Sequence, residues 1–306
     1  GDLARGVLGV VIDDQGAGGI EQAYDSLLQG TSGRAVVARD NLGRPIPGET
    51  FVVEPPRSGD EVVLTLDMDL QEITRQALEE AVDESEARGG DALVTDPFTG
   101  EILALVSIRD GRTAGLSAIN TAYEPGSTLK PFTVAGLLTH DLASLSDTVD
   151  VKDGTWRVAG RTLHDVSAEG RLSIADALRV SSNVGIAKAA RALPPRIQYE
   201  TLRDFGFGVP TGIEIPGEVG GVLRRPDRWS GQSPASLAIG YELSVTPLQM
   251  AMAYGAMANG GLLMEPRLVR EVRDATGRTV DRFGKRTVRR VMDRRVAHML
   301  SRVLED

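Results

Sequence analysis

Apolar and polar positions alternate in two different ways along this chain. Over residues 69–87, Leu70, Ile73, Ala77, Leu78, Ala81 and Val82 recur at helical spacing and fall on one face, which predicts an amphipathic helix. The preceding "EVVLTLD" reads as a strand over 61–66. The following "DALVTDPFTGEILALVSI" has two apolar runs split by Asp-Pro-Phe-Thr-Gly, which predicts strands over 92–95 and 102–108 joined by a turn. Helical periodicity then covers about 128–139, 173–192, 197–205, 246–259 and 294–304, with a strand-like pair around "RDATGRT". Strands first and a helical block afterwards predict an α+β unit or a helix-inserted sheet, not alternating βαβ units. Residues 1–58 differ: they are glycine-rich, with strand-like pieces over 7–12 and 35–38 around an amphipathic patch at 20–28. "RDNLGRP" reads as a turn, and "VEPPRSGD" as a linker, because paired prolines continue neither a helix nor a central strand. A small unit over 1–58 and a larger one over 59–306 follow.

Composition narrows the function. The 306 residues carry a net charge of −9, which argues against a chain that holds nucleic acid or anionic lipid through its overall field. With no cysteine there are no disulfides and no thiolate metal sites. His140, His164 and His298 are scattered, without a pair at ligand spacing, so no metal site is expected. "GFGVPTG" has the wrong spacing for a dinucleotide fingerprint and reads as a loop; no cofactor is expected. No apolar run approaches the ~18 residues that a membrane-spanning helix needs.

Charge also points to one residue. Arginine supplies nearly all the positive charge, and lysine occurs at positions 130, 152, 188 and 285 only. Lys130 lies in "YEPGSTLKPF", three residues after Ser127. A chance Ser-x-x-Lys in such a chain is expected roughly a quarter of a time, so the pair alone is compatible with a solvated lysine on a helix face. Chemistry favours more. A desolvated lysine can lose its proton and act as a base, whereas arginine cannot. Spacing of three places both side chains on one helix face. Pro131 fits only in a first helical turn, which puts Ser127 at the positive end of the helix dipole. A serine nucleophile with a lysine base is the chemistry this arrangement offers. "RVSSNVGIAK" adds Ser181 and Asn183 between two helix-like pieces. They can be a local cap, or Ser181 can relay a proton while the Asn183 amide holds a substrate peptide group. Ser-x-x-Lys followed by Ser-x-Asn is two-thirds of a signature shared by penicillin-binding proteins and class A β-lactamases.

With these motifs the chain resembles the monofunctional (class B) penicillin-binding proteins, the peptidoglycan D,D-transpeptidases of division and elongation. "FGFGVPTGIEIPGE", "AIGYELSVTPLQMAMAYGAMANGG" and "DALVTDPFTGEILALVS" resemble stretches that accompany the motifs, and "GGIEQAYDSLLQG" through "GRAVVARDNLGRPI" resembles the end of the family's non-catalytic pedestal region. The resemblance implies a penicillin-binding, serine β-lactamase-like fold, an antiparallel sheet with an inserted helical block. It implies Ser127 as acylated nucleophile, Lys130 as general base, Ser181 as proton relay and Asn183 as substrate-binding residue. Peptidoglycan stem peptides and β-lactams are the implied ligands, and a glycosyltransferase with other cell-wall synthesis proteins the implied partners. The family faces the extracytoplasmic space from a membrane anchor, which this sequence does not contain. The family's third element, Lys-Thr-Gly or Lys-Ser-Gly, is absent as well, and a parent protein is expected to continue past Asp306 and supply it. Without it the 306-residue chain is expected to acylate poorly. Two alternatives stay open: a serine β-lactamase-type hydrolase, and a non-catalytic penicillin-binding-like scaffold or sensor.

Overall fold

A computed structural model describes residues 2–113, 115–167 and 170–305. Its first organising element is the helix Met68–Glu84, which starts where the Asp67 carboxylate accepts hydrogen bonds from the backbone N–H groups of Asp69 and Leu70, both at 3.0 Å. One face packs on an antiparallel hairpin, Gly89–Thr95 against Ile102–Arg109, with Leu93 opposite Leu105. The expected Asp-Pro-Phe-Thr-Gly turn is present: Asp96 accepts from Phe98 N and Gly100 N, and Gly100 has φ +79°. Strand Ile102–Arg109 is buried along most of its length because structure covers both its faces. Arg112–Thr113 extends this sheet beyond Ile102–Arg109, so among the described residues Gly89–Thr95 is paired on one side only.

A second three-stranded antiparallel sheet joins Glu61–Leu64, Val269–Arg273 and Thr279–Arg282. The buried Thr65 links the two sheets: its hydroxyl donates to Ile102 O at 2.7 Å, and its N–H donates to Leu268 O at 2.7 Å. Between the hairpin and this sheet, the chain makes the helical block. Lys130–Thr139 is its central helix, buried almost all round against Pro195–Asp204 and the C-terminal helix Arg294–Glu305. Phe132 stands edge-on to Phe205, Phe207 and Tyr254, with ring centroids 4.8, 5.2 and 5.1 Å away. The expected amphipathic segment at the C-terminus buries Val296, Ala297, Leu300 and Val303.

Three expectations need correction. The segment 7–12 is not one strand: Arg5–Leu8 is a helical turn that buries Val7, and Val10–Ile12 then forms a hairpin with Gln15–Ala17. The segment 173–192 is two helices, Ile174–Arg179 and Asn183–Ala189, separated by a turn at Ser181. The helical block is also interrupted by two ribbons, Thr148–Lys152 with Gly170–Ser173 and Thr155–Val158 with Arg161–His164. Ala159 and Gly160 close the second ribbon with φ +46° and +85°, as a two-residue hairpin turn requires. Residues Arg34–Arg39 and Pro45–Glu54 form a separate antiparallel ribbon. Among the described residues no helix is long and apolar enough to cross a membrane.

Candidate active site

Ser127 lies in a single 3-10 turn, Gly126–Leu129, that leads directly into the Lys130–Thr139 helix with Pro131 in its first turn. Sequence reasoning placed the helix start and the proline correctly. The turn is held from several sides. Tyr123 and Val245 exchange both backbone hydrogen bonds at 2.9 Å, and Gly126 N donates to Gly240 O at 3.0 Å. Gly240 has φ +86°, and a Cβ there would stand 1.9 Å from Gly126 O, so only glycine admits this approach. Glu242 N donates to the Glu124 carboxylate at 3.0 Å, and Tyr254 Oη donates to Thr128 O at 2.8 Å. Burial pushes the Tyr254 phenol up to about 12, which keeps it protonated as a donor. Gly240 and Tyr254 both fall in the stretch 238–261 that carries the family resemblance, but neither was singled out from the sequence, since both act through chain segments far from Ser127.

The two members of the first motif part company in solvent exposure. Ser127 is exposed, whereas Lys130 is only 1% exposed and is among the largest fully buried side chains. Burial lowers the Lys130 pKa to about 8, and the Asp165 carboxylate acts in the opposite sense. Its ammonium donates to Ser181 O at 2.5 Å and to Ser181 Oγ at 3.0 Å. Thus the structure brings the first and second motifs together at Lys130. Among the described residues no hydrogen bond joins the Ser127 hydroxyl to Lys130.

Ser181 owes its orientation to a helix ending. Ser182 N donates to Ala177 O at 2.8 Å and Ser181 N to Leu178 O at 3.1 Å, the paired bonds of a Schellman ending. Ser181 occupies the left-handed position of that motif at φ +56°, where glycine is usual. The strained backbone turns the carbonyl and hydroxyl of one residue onto Lys130. Ser182, not Asn183, caps the next helix: its hydroxyl accepts from Gly185 N at 2.7 Å and donates to Asp165 at 2.6 Å. Asn183 is the first helical residue, and its amide donates to His164 O at 2.9 Å. Asp165 is a site neighbour that sequence reasoning missed, since a single aspartate after a short ribbon carries no local signature.

A groove of about 650 Å³ opens at the Gly89/Arg109 end of the hairpin, lined by Arg88, Asp91, Arg109, Thr121 and Tyr123 among others. Tyr123 connects this groove to the Ser127 segment.

The arrangement of a serine at a helix start, a buried lysine and a Ser-x-Asn turn has counterparts. Residues 90–306 match the model of the penicillin binding protein transpeptidase domain, and residues 11–64 that of the penicillin-binding protein dimerisation domain. The chain belongs to the penicillin-binding protein transpeptidase family. Among curated members it is 34% identical to penicillin-binding protein PbpB of Mycobacterium tuberculosis, over 88% of this chain and 42% of that protein. It is 32% identical to the probable peptidoglycan D,D-transpeptidase PbpC of Pseudomonas aeruginosa, over 100% of this chain and 54% of that protein. Among solved structures, a peptidoglycan synthetase from Bifidobacterium adolescentis superimposes with a TM-score of 0.85 at 30% identity, covering 100% of this chain and 57% of that one. Penicillin binding protein 3 of M. tuberculosis, solved with aztreonam, gives a TM-score of 0.85 at 31% identity, covering 99% of this chain and 67% of that one. The chain spans about half the length of these curated relatives. The α+β class and the penicillin-binding fold expected from sequence hold for this family member.

Proposed function

We propose that this family member carries the acylation machinery of a serine D,D-transpeptidase. One observation carries the reading: a lysine buried at the start of the Ser127 helix has its pKa lowered to about 8 and bonds the Ser181 hydroxyl at 3.0 Å. A base poised near the working pH is the most effective acceptor of a serine proton. In the neutral form, Lys130 takes the Ser127 hydroxyl proton as Oγ bonds the carbonyl carbon of a D-Ala-D-Ala peptide. Negative charge developing on the carbonyl oxygen is favoured at the positive end of the helix. The proton then passes through the Ser181 hydroxyl to the departing D-Ala nitrogen as the peptide C–N bond breaks. An amine of a neighbouring stem peptide takes the acyl group and releases Ser127. With His164 O holding its NH₂, the Asn183 side chain keeps a carbonyl oxygen to accept from a substrate peptide N–H. β-Lactams enter the same sequence at the first step, and the aztreonam complex named for the mycobacterial relative supports that role.

The match of residues 11–64 to a dimerisation domain favours the transpeptidase over a free-standing β-lactamase. We read residues 1–58 as the end of a pedestal region and 59–306 as the transpeptidase unit. The setting we propose is membrane-anchored and extracytoplasmic, with a glycosyltransferase and other cell-wall synthesis proteins as partners. The test is labelling of the full-length protein with a fluorescent penicillin, followed by mass spectrometry of a digest. A long-lived adduct on Ser127, lost in Ser127→Ala, is expected. An adduct on another serine overturns the assignment, and rapid release of the label identifies a hydrolase.

A further inference from the structure

Asp165 belongs to neither sequence motif, yet it is bonded to the second and its charge acts on the lysine of the first. It follows the ribbon strand Arg161–His164, and its own N–H is fixed on Gly154 O at 2.8 Å. One carboxylate oxygen accepts from Ser182 Oγ at 2.6 Å, the other from Val184 N at 2.9 Å. The adjacent His164 carbonyl accepts from the Asn183 amide at 2.9 Å. Two neighbouring residues of the ribbon therefore clamp three consecutive residues, Ser182, Asn183 and Val184. Immediately before that clamp stands Ser181, a non-glycine residue at φ +56°, whose two oxygens both bond Lys130. A left-handed serine costs about 1–2 kcal/mol and persists only where its surroundings enforce it. The clamp is such an enforcement.

We propose that Asp165 is a positioning residue of the acylation site: bonded to Ser182 and Val184, its carboxylate holds Ser181 in the turn that meets Lys130 and sets a negative charge one residue away from that lysine's hydrogen-bond partner. The proposal rests on the reading of Lys130 as the base. The helices Ile174–Arg179, Asn183–Ala189, Pro195–Asp204 and Arg294–Glu305 also pack against the Lys130 helix. Charged groups on these helices (Asp176 and Arg179, Lys188, Arg196 to Asp204, and Arg294 to Glu305), and Arg191 on the adjoining turn Ala190–Ala192, surround that helix, and the Asp165 carboxylate raises the Lys130 pKa against its burial. Desolvation alone would lower the Lys130 pKa further and make the amine a weaker base. A carboxylate nearby favours the ammonium form and holds the group nearer the working pH. The same side chain thereby fixes where the relay hydroxyl lies and how strongly the lysine accepts a proton.

Two readouts on the full-length protein test this. The first is titration of Lys130 by NMR of ¹³C-labelled lysine, with the signal assigned by its loss in Lys130→Arg. The second is the pH dependence of acylation by fluorescent penicillin. Asp165→Asn keeps the size of the side chain and the oxygen that accepts from Val184 N, but removes the charge and puts an NH₂ donor in place of the other oxygen. The Lys130 midpoint is expected to fall by roughly half a pH unit or more, with the acid limb of the acylation profile moving with it. Ser182→Ala removes the hydroxyl link and leaves the carboxylate; it is expected to lower the melting temperature and leave the midpoint in place. An unmoved midpoint in Asp165→Asn overturns the proposal, as does an equal shift in Ser182→Ala. A midpoint that moves in a protein that never acylates upholds the coupling of Asp165 to Lys130 and sinks the acyl-transfer reading instead.

Discussion

Lys130 shows how a single residue type can be dictated by proton chemistry. Its aliphatic stem lies in a core beside Leu129 and Phe132, where a permanent charge would be costly. Lysine escapes that cost by releasing its proton; arginine does not. Lys130→Arg is therefore expected to lose acylation by about 10²–10⁴-fold although the formal charge is kept. The pH profile gives the same discrimination with a sign. The neutral amine is the active base and its pKa is lowered from 10.5 to about 8. Acylation should then rise as pH increases through about 8, not through 10.5, and fall away below it as the ammonium forms. Stopped-flow acylation from pH 6 to 11 checks both statements. Near-normal rates in the arginine variant would reduce Lys130 to a positive charge.

At the scale of elements, the turn between Ile174–Arg179 and Asn183–Ala189 sets stability against function. A Schellman ending normally recruits glycine at the left-handed position, because a Cβ there is strained. This chain keeps Ser181 instead, with its hydroxyl 3.0 Å from the lysine. Ser181→Gly should relieve about 1–2 kcal/mol of backbone strain, offset by about 0.5–1 kcal/mol of added freedom in the unfolded chain. The variant is expected to melt no lower than wild type and to acylate far more slowly. Thermal melts and labelling rates on one preparation decide it. A variant that is both less stable and fully active would mean that the hydroxyl serves the fold and not the proton path. The neighbouring Ser182 works the other way, as a helix cap whose hydroxyl is buried and fully used.

Across the whole molecule, the front segment and the larger unit share a core. Val7 and Ile20, 1% and 4% exposed, belong to the same buried cluster as Leu105, Leu116 and Phe132. Polar contacts add to it: buried Gln71 donates to both Leu3 O and Leu105 O, and Asp60 N donates to Leu27 O at 2.8 Å. Gly59 approaches so closely that a Cβ would stand 1.9 Å from Leu28 O. Such packing couples the stability of the site's scaffold to residues far from its chemistry. Ile20→Ala is expected to cost about 2–5 kcal/mol and to lower one cooperative melting transition for the whole chain. A second, separate transition at low temperature, with the main one unmoved, would show that the front segment folds on its own.

Local pattern in the sequence was enough for the elements whose signal is internal to them: the 68–84 helix, the Asp-Pro-Phe-Thr-Gly hairpin and the C-terminal amphipathic helix. It was also enough to single out Ser127 and Lys130, since spacing of three and a first-turn proline are properties of one short segment. The break at Ser181 was legible only as an alternative, a cap between two helix-like pieces, because the left-handed turn contradicts local preference and is imposed by contacts with Lys130 and the Asp165 clamp. The ribbons at 148–173 do not stand out in the sequence, because short strands with few apolar residues compete poorly with helical periodicity on either side. What tertiary structure alone decided is which residues meet: Asp165 with the Ser182 hydroxyl, Gly240 with Gly126, and Tyr254 with the carbonyl after Ser127. Those pairs are distant in sequence, and nothing in a single chain's local pattern encodes a contact that exists only once the core between them has closed.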